Sequence, residues 1–319
     1  MSATSWWAHG PAFALAAALL FGVSTPVSKL LLGVIDPVLF ASFLYLGSGL
    51  GLLLVLLAGK KKGVPAREAR LDRRDLPWLL GGIAAGGVIA PIMLLAGLRY
   101  VPAATASLLL NFEIVATALI ASLVFREYLG RQAILAIPII AAAGVVLSWD
   151  PAGGNGLSLA AAGIVLAGFF WGIDNNLTRK IAGKDPVAIA TVKGLGAGCG
   201  SLALALFFHA GIPAPGVIAA ALAVGFLTYG LSIVFFVHSL RELGAARTSA
   251  YFAAAPFIGS VVSVVLFSEL PGLRFFIALP LFLTGAYVLA REQHSHIHRH
   301  GEFVHDHSHA PEIHHGHEQ

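Results

Sequence analysis

The feature that most constrains this chain is an internal repeat of apolar sequence that contains no gap. Residues 98–148 align with residues 240–290 at a constant offset of 142 positions. Identical positions in this alignment include Leu98/Leu240, Arg99/Arg241, Ala103/Ala245, Ala104/Ala246, Ser107/Ser249, Phe125/Phe267, Glu127/Glu269, Gly130/Gly272, Pro138/Pro280 and Leu147/Leu289. Upstream, slightly larger offsets relate Gly22 to Gly172, Lys29 to Arg179 and Asp36-Pro37-Val38 to Asp185-Pro186-Val187. Two copies of one apolar unit that rock around a shared site are typical of secondary transporters.

The composition indicates a membrane protein. Hydrophobic residues make up 57% of the chain and charged residues 11%, with a mean hydropathy of +0.83, whereas soluble domains are about 25% charged. The net charge of +4 comes from basic residues that lie between apolar runs, so no nucleic-acid partner is predicted. The lone cysteine, Cys199, excludes a disulfide framework and is interpreted as a small packing residue.

Ten segments have the length and hydropathy of membrane-spanning helices, which need about 20 apolar residues. The predicted first repeat, 11–149, contains helices near 11–32, 37–58, 76–98, 102–125 and 131–149. The predicted second repeat, 157–290, contains helices near 157–180, 187–208, 216–239, 244–267 and 273–290, and residues 291–319 form a tail. We therefore predict an all-α polytopic membrane protein, in which Phe13–Leu32 is a first spanning helix and not a cleaved signal peptide.

The placement of basic residues predicts the orientation of the chain. The longest loop, 59–75, carries seven of the Lys and Arg residues, and most others fall on the same side when the N-terminus is cytoplasmic. Both termini are then cytoplasmic, and the second five-helix repeat is inverted relative to the first. The predicted location is the bacterial inner membrane.

Several segments resemble the EamA-type family of the drug/metabolite transporter superfamily. They are LLFGVSTPVSKLLLG (19–33) with its echo FFWGIDNNLTRKIAG (169–183), RYVPAATAS (99–107), LVFREYLGRQ (123–132) and VLFSELPGLR (265–274). The resemblance covers about residues 11–290. It implies a ten-helix carrier with two inverted repeats, a small-molecule substrate, no enzymatic activity and no required cofactor. Many bacterial members are exporters, so the resemblance also implies export.

Two charged residues within the predicted helices are candidates for substrate binding or ion coupling. Glu113 lies about midway along the fourth helix, where a carboxylate is costly unless it faces a cavity, pairs or is protonated. Burial favours its neutral form, which suits proton coupling, although a purely structural hydrogen bond is the alternative. Lys193 lies about a turn and a half into the seventh helix and is predicted to pair with Glu113 or Asp174, to attract an anionic substrate, or to extend to the interface.

Several further residues are weaker candidates for the same site. Asp174, Asn175 and Asn176 cannot share one helix face, so at least one should meet another helix or water. Lys29 and its repeat partner Arg179 are each interpreted either as a site residue or as a helix-end anchor. The remaining two candidates, which are expected to line a pocket or to pack, are Trp171 and Tyr251.

The tail is rich in histidine, with alternate-residue spacing that places imidazoles on one face of an extended segment. Neutral imidazole binds Zn, Ni, Co and Cu ions, so metal binding in vitro is predicted, by a segment that is otherwise expected to be disordered. The candidate ligands are His294, His296, His298, His300, His305, His307, His309, His314, His315 and His317.

Three functions follow from these patterns. The leading hypothesis is a secondary transporter that moves a small polar metabolite by alternating access, since the chain has no phosphate-binding Gly-x-x-x-x-Gly-Lys-Ser/Thr motif. The second is a transporter linked to a divalent metal through the tail, either as cargo or as regulator. The third, a membrane enzyme or scaffold, lacks a His-Glu-x-x-His or Gly-x-Ser-x-Gly motif.

Overall fold

The computed structural model describes residues 9–61, 69, 71–126, 129–150, 156–181, 183–243, 251–268, 271–290, 294–300 and 303–309. These residues are mainly helical. The α-helices are α1 (His9–Leu31), α2 (Pro37–Lys61), α3 (Leu76–Gly82), α4 (Ala90–Leu98), α5 (Ala103–Leu109), α6 (Phe112–Leu123), α7 (Arg131–Ser148), α8 (Leu159–Arg179), α9 (Pro186–Phe207), α10 (Pro215–Val224), α11 (Ser232–Leu243), α12 (Ala255–Phe267) and α13 (Leu273–Ala290). Two π-helical segments, π1 (Ile83–Ile89) and π2 (Gly225–Leu231), join α3 to α4 and α10 to α11. The strands are β1 (Trp149–Asp150), β2 (Gly156–Leu157), β3 (His294–His300) and β4 (Phe303–His309).

Seven helical stretches among the described residues are long and apolar enough to cross a membrane. They are Gly10–Leu31, Pro37–Ala58, Leu76–Leu98, Ala103–Leu123, Arg131–Ser148, Val187–Phe207 and Pro215–Phe236. Two shorter apolar helices, Ala255–Phe267 and Leu273–Val288, follow them. The chain is therefore a polytopic helical protein, and the count of ten spans stays a prediction.

The repeated Asp-Pro-Val sequence marks the start of the second helix in each half. The Asp36 carboxylate accepts the N–H of Val38 at 2.8 Å, and the Asp185 carboxylate accepts that of Val187 at 2.9 Å. Each aspartate thereby satisfies a backbone donor that has no partner within the helix. Proline follows at the first helical position, where no N–H is needed. This pattern in the sequence is therefore a helix start used twice.

The predicted fourth helix, 102–125, is broken into α5 and α6. Asn111 lies at the break, where its backbone N–H and its side-chain amide both donate to the carbonyl oxygen of Leu108, at 3.1 and 2.9 Å. A side chain that competes for a carbonyl in this way interrupts the regular helical ladder. Asn111 is buried among the helices.

The backbone repeats with the same offset as the sequence. π2 begins and ends 142 positions after π1, and α13 begins and ends 142 positions after α7. The packing is reciprocal as well: α1 packs against α11 and α12, while its counterpart α8 packs against α4 and α6. Two elements also pack against their own counterparts in the other half, α2 against α9 and α7 against α13. Such reciprocal packing is what an approximate two-fold relation between the halves produces.

The matching glycines Gly22 and Gly172 occupy equivalent close contacts. A Cβ atom on Gly22 would lie 2.5 Å from the carbonyl oxygen of Ala255, and one on Gly172 would lie 2.8 Å from the backbone nitrogen of Thr117. No real Cβ atom tolerates such distances to a backbone. These glycines thus allow α1 to approach α12 and α8 to approach α6.

An ion pair connects two loops at the predicted cytoplasmic end. Lys184 Nζ lies 3.0 Å from Asp72 Oδ2 and 3.2 Å from Asp75 Oδ2. The hydrogen bond from Lys184 lowers the pKa of Asp72 below its usual 3.8. Chiefly through the same bond, the pKa of Lys184 is raised above its usual 10.5. The pair therefore holds the segment before α3 against the segment before α9.

We expect this pair to add stability that depends on pH. Because the folded-state pKa of Asp72 is depressed, its contribution is complete above the unfolded value of 3.8 and is lost as the pH falls through the folded value. The contribution of Lys184 is complete below 10.5 and is lost as the pH rises further. Thermal midpoints of wild type and Asp72→Asn should therefore differ at neutral pH and converge only at a pH well below 3.8, where the carboxyl is protonated in the folded state as well. A difference that is the same at both pH values would contradict this prediction.

The tail differs from the predicted disorder in two segments. β3 and β4 form an antiparallel pair in which His294, His296 and His298 lie opposite His309, His307 and His305, respectively. Alternating sequence on both sides of a two-residue connection that contains Gly favours such a hairpin. His314, His315 and His317 lie outside the described residues.

Candidate functional site

A buried ion pair joins α8 to α9. Lys193 Nζ lies 2.5 Å from Asp174 Oδ1, with side chains that are 17% and 10% exposed. Thr178 completes the contact, because its hydroxyl accepts a hydrogen bond from Lys193 at 2.9 Å and donates one to Asp174 at 2.9 Å. Each charge is thereby neutralised within apolar helices, where either alone would be costly.

A second contact joins the two halves of the chain. Asn175 Nδ2 in α8 donates to Glu113 Oε1 in α6 at 2.9 Å and lies 3.1 Å from the hydroxyl of Thr117. Asn176, the next residue, donates to the carbonyl oxygens of Thr117 and Gly172 at 3.0 and 2.9 Å. Glu113 is half-buried, while Asn175 is exposed. The contact therefore lies at an exposed position on α8.

The structure thus separates the two carboxylates that were candidates for pairing with Lys193. Asp174 binds the lysine, whereas Glu113 binds an amide. We call Glu113, Thr117, Asp174, Asn175, Thr178 and Lys193 the polar cluster. Asp174 and Asn175 meet different helices, as expected for adjacent polar residues on one helix.

Sequence reasoning missed the two threonines of the polar cluster. Thr117 and Thr178 each lie four residues after an acidic residue, Glu113 and Asp174. That spacing places both side chains on the same helix face. The signal was therefore present in the sequence as an acid followed one turn later by a hydroxyl.

Lys29 makes its contacts outside the polar cluster. Lys29 Nζ donates to the carbonyl oxygens of Leu98, Arg99 and Val101, which end α4 and the turn after it; the last two distances are 3.1 and 3.0 Å. A cation at the C-terminal end of a helix satisfies carbonyls that have no helical partner. This contact supports the interpretation of Lys29 as a helix-end anchor. Arg179 is exposed at the last residue of α8.

The two aromatic candidates have different environments. Trp171 is 7% exposed, and its indole N–H donates to the carbonyl oxygen of Gly86 at 2.9 Å. Tyr45, which the sequence did not single out, donates its hydroxyl to the same carbonyl at 2.8 Å. Tyr251 is 38% exposed just before α12. Trp171 therefore packs inside the bundle, one helical turn before Asp174.

A cavity of about 590 Å³ lies elsewhere, among the ends of α4, α7 and α8 and the start of α13. Its polar lining includes Tyr100, Thr105, Ser158 and Arg274. None of the polar cluster lines it. The cavity lies near the helix ends, at the predicted extracellular face. The polar cluster, with its buried ion pair and its hydrogen-bonded carboxylate, is the better candidate for the functional site.

The described residues contain no group of three or more His, Cys, Asp and Glu side chains able to hold a metal ion. Cys199 is exposed on α9, and His238 packs its ring 5.6 Å from that of Phe13. Among these residues, therefore, the helices offer carboxylate, amide, amine and hydroxyl groups to a ligand.

Comparison with known proteins agrees with this architecture. An uncharacterized transporter of Methanothermobacter thermautotrophicus (strain Delta H) is 29% identical over 296 residues, which cover 86% of this chain and 84% of that protein. A crystal structure of another protein matches with a TM-score of 0.63 at 20% identity, over 88% of this chain and 97% of that one; at this identity the likeness shows the fold alone. The model of the EamA-like transporter family matches residues 9–149 and again residues 158–291. The resemblance in the sequence is thus confirmed, and the chain, an integral membrane protein, belongs to the EamA-like transporter family.

Proposed function

We propose that this protein is a secondary transporter that exports a small polar metabolite by alternating access, with both termini in the cytoplasm of a bacterial cell. The observation that carries the proposal is the contact between Glu113 in the first half and Asn175 in the second. Relative motion of two such halves opens a site between them to either side of the membrane in turn. The contact would then break and form once in each cycle.

The ligand groups of the polar cluster favour a polar cargo. Asn175 and the two threonines offer neutral donors and acceptors, Glu113 offers an acceptor, and the ion pair of Asp174 and Lys193 offers one charge of each sign. A cargo that hydrogen-bonds to these groups would replace the contacts they make with each other. An apolar analogue would leave these groups unpaired, which is costly, so the polar cluster would select cargo that forms hydrogen bonds.

We further propose that Glu113 couples transport to protons. Its carboxylate has one amide donor and lies between helices, so binding of a proton at Oε2 would remove its charge without breaking the bond at Oε1. A protonated carboxyl crosses an apolar interface more easily than a carboxylate. Changes in the Asn175 contact would then alternate with loading and release of the proton.

Glu113→Gln tests the coupling. Because glutamine keeps the hydrogen bond to Asn175 and cannot exchange a proton, we expect counterflow exchange in proteoliposomes to continue while accumulation driven by a pH gradient is lost. Asp72→Asn, a carboxylate outside the helices, is the matched control and should keep both activities. Survival of pH-driven accumulation in Glu113→Gln would rule out this role for Glu113.

The cargo must first be found by binding. A thermal-shift screen of full-length protein and of a variant that lacks residues 292–319 should find metabolites that stabilise both, since ligands that bind the native state raise its apparent stability. Replacement of Asn175 by Ala should abolish that stabilisation. If a stabilising metabolite still binds Asn175→Ala and Asp174→Asn equally well, the polar cluster is not the site.

The histidine tail supports a second proposal, that it binds metal ions as a regulator or buffer. Transport itself requires no cofactor in this proposal. Three histidine pairs lie opposite each other in the β3–β4 register, and directly opposed residues have Cβ atoms about 5 Å apart. Zn, Ni, Co and Cu ions accept imidazole ligands at such spacing. The tail is the favoured location because it holds ten of the thirteen histidines of the chain.

Tail deletion tests this proposal. Removal of residues 292–319 should abolish tight Ni²⁺ and Zn²⁺ binding in calorimetry while transport of the cargo continues. A matched variant in which Val304 and His305, Asp306 and His307, and Ser308 and His309 exchange places keeps all histidines but moves those of β4 to the other face of the hairpin. It should bind more weakly than wild type. Equal affinity would mean that histidine content, and not pairing, determines binding.

A further inference from the structure

Gly86 lies inside π1. Its carbonyl oxygen accepts two hydrogen bonds from side chains and lacks a backbone donor. Tyr45 Oη in α2 donates to it at 2.8 Å, and Trp171 Nε1 in α8 donates at 2.9 Å. Both side chains come from other helices. A single carbonyl of the membrane interior thus ties π1 to α2 and to α8.

Pro91 explains why this carbonyl needs outside donors. The N–H of Ala90 bonds to the carbonyl of Ala85, five residues back, as a π-helix requires. The next bond of that ladder would run from residue 91 to Gly86, and proline has no N–H. A carbonyl left unpaired among apolar helices is costly. Tyr45 and Trp171 therefore replace the bond that Pro91 cannot make.

The same segment packs against the charged part of the polar cluster. A Cβ atom on Gly86 would lie 2.1 Å from Asp174 Oδ2, and one on Gly82 would lie 2.6 Å from Asp174 Oδ1. The Asp174 carboxylate therefore occupies space that only glycine leaves open. Trp171 and Asp174, one turn apart on α8, contact Gly86 from its carbonyl side and its Cα side.

The second half of the chain does not repeat this arrangement. The positions that correspond to Gly86 and Pro91 are Thr228 and Ile233, which lie 142 residues later. Those that match Tyr45 and Trp171 are Gly194 and Phe21, neither of which has a side-chain donor. Phe21 instead packs its ring 5.7 Å from that of Tyr229. The bonds to Gly86 are consequently a property of one half and do not follow from the duplication.

We propose that Tyr45 and Trp171 are positioning residues that keep π1 in its π-helical register and so keep the ion pair of Asp174 and Lys193 closed. Without them, Pro91 leaves one carbonyl unpaired in either register, that of Gly86 in the π-helix or that of Gly87 in an α-helix, so the π-helix loses its advantage. Rewinding as an α-helix rotates the α3 side by about 100° for the one residue displaced. Residues with a Cβ atom would then replace the glycines beside Asp174. The importance of the ion pair for the cargo rests on the proposed function, whereas its geometry does not.

The test combines Tyr45→Phe and Trp171→Phe, singly and together, with and without Pro91→Ala. Alanine at position 91 restores an N–H able to reach Gly86, so it should make the two side-chain donors dispensable. The readout is labelling of Lys193 by a small amine-reactive ester in detergent-solubilised full-length protein, quantified by mass spectrometry. Thermal midpoints of every variant are measured in parallel.

We expect the double variant to label Lys193 roughly tenfold faster than wild type, the size of effect that follows from one unsatisfied buried carbonyl. In the Pro91→Ala background the same substitutions should change labelling by less than about twofold, and the loss in thermal midpoint should shrink in parallel. Tyr100→Phe and Trp149→Phe, at exposed positions, are matched controls and should leave labelling unchanged.

Unchanged labelling in the double variant, or an equal increase with and without Pro91→Ala, would overturn the proposal. If the double variant does not fold, each single substitution is compared across the two backgrounds, where the same rescue is required. No cargo enters these measurements. A failure of the proposed function therefore leaves this result intact, and the reverse also holds.

Discussion

Lys193→Met should lower the free energy of unfolding by about 3–5 kcal/mol, because it leaves Asp174 as an uncompensated charge among apolar helices. The aspartate side chain is only 10% exposed, so water can replace little of the lost interaction. Thr178 remains as a hydrogen-bond partner but carries no charge. Denaturant unfolding in detergent micelles, followed by circular dichroism, measures the change.

Two variants make this prediction specific. The double variant Asp174→Asn/Lys193→Met removes both charges and should recover most of the stability lost by Lys193→Met alone, since an ion pair replaced as a whole costs little. Lys184→Met, which breaks the exposed pair with Asp72, is the matched control and should have a small effect. A double variant no more stable than Lys193→Met would mean that the packing of the lysine chain matters more than its charge.

Gly225→Ala is the second change for which a large effect is expected. A Cβ atom on Gly225 would lie 2.0 Å from the carbonyl oxygen of Leu44, and one on Gly47 would lie 2.1 Å from that of Leu222. Both neighbours are backbone atoms, which cannot rotate away as a side chain would. Either alanine should force α2 away from α10 and π2 and lower the free energy of unfolding by about 3 kcal/mol or more.

The control for this substitution is Gly33→Ala, because a Cβ atom at Gly33 would meet nothing within 4 Å. Thermal midpoints of the purified proteins should fall sharply for Gly225→Ala and Gly47→Ala and stay close to wild type for Gly33→Ala. Equal midpoints for all three variants would show that α2 can move away from its partner at little cost.

The ends of several helices could be predicted from the sequence because they depend on local chemistry. The Asp-Pro pairs that begin α2 and α9 are caps, and the offset of 142 carried the limits of α7 over to α13. Hydropathy could not predict π1 and π2, because one extra residue in a turn changes neither length nor composition noticeably. The interruption at Asn111 was missed for a similar reason: a single asparagine in an apolar run can pack or can cap.

The partners within the polar cluster depended on a quantity that sequence does not contain. Asp174 and Asn175 point about 100° apart on α8, so the rotation of that helix in the bundle decides which one meets Lys193 and which one meets Glu113. The sequence was compatible with pairing of Lys193 with either Glu113 or Asp174. Contacts between helices from different halves had to be observed.

The matching positions of π1 and π2 also carry information about the history of the chain. A constant offset relates π1 to π2. We infer that the extra residue in each π-helical turn was present in the ancestral half before that half was duplicated. Pro91, Tyr45 and Trp171 have no counterparts in the other copy, so they were gained in the first half or lost from the second after the duplication. The two halves therefore hold a shared irregularity of the backbone in different ways.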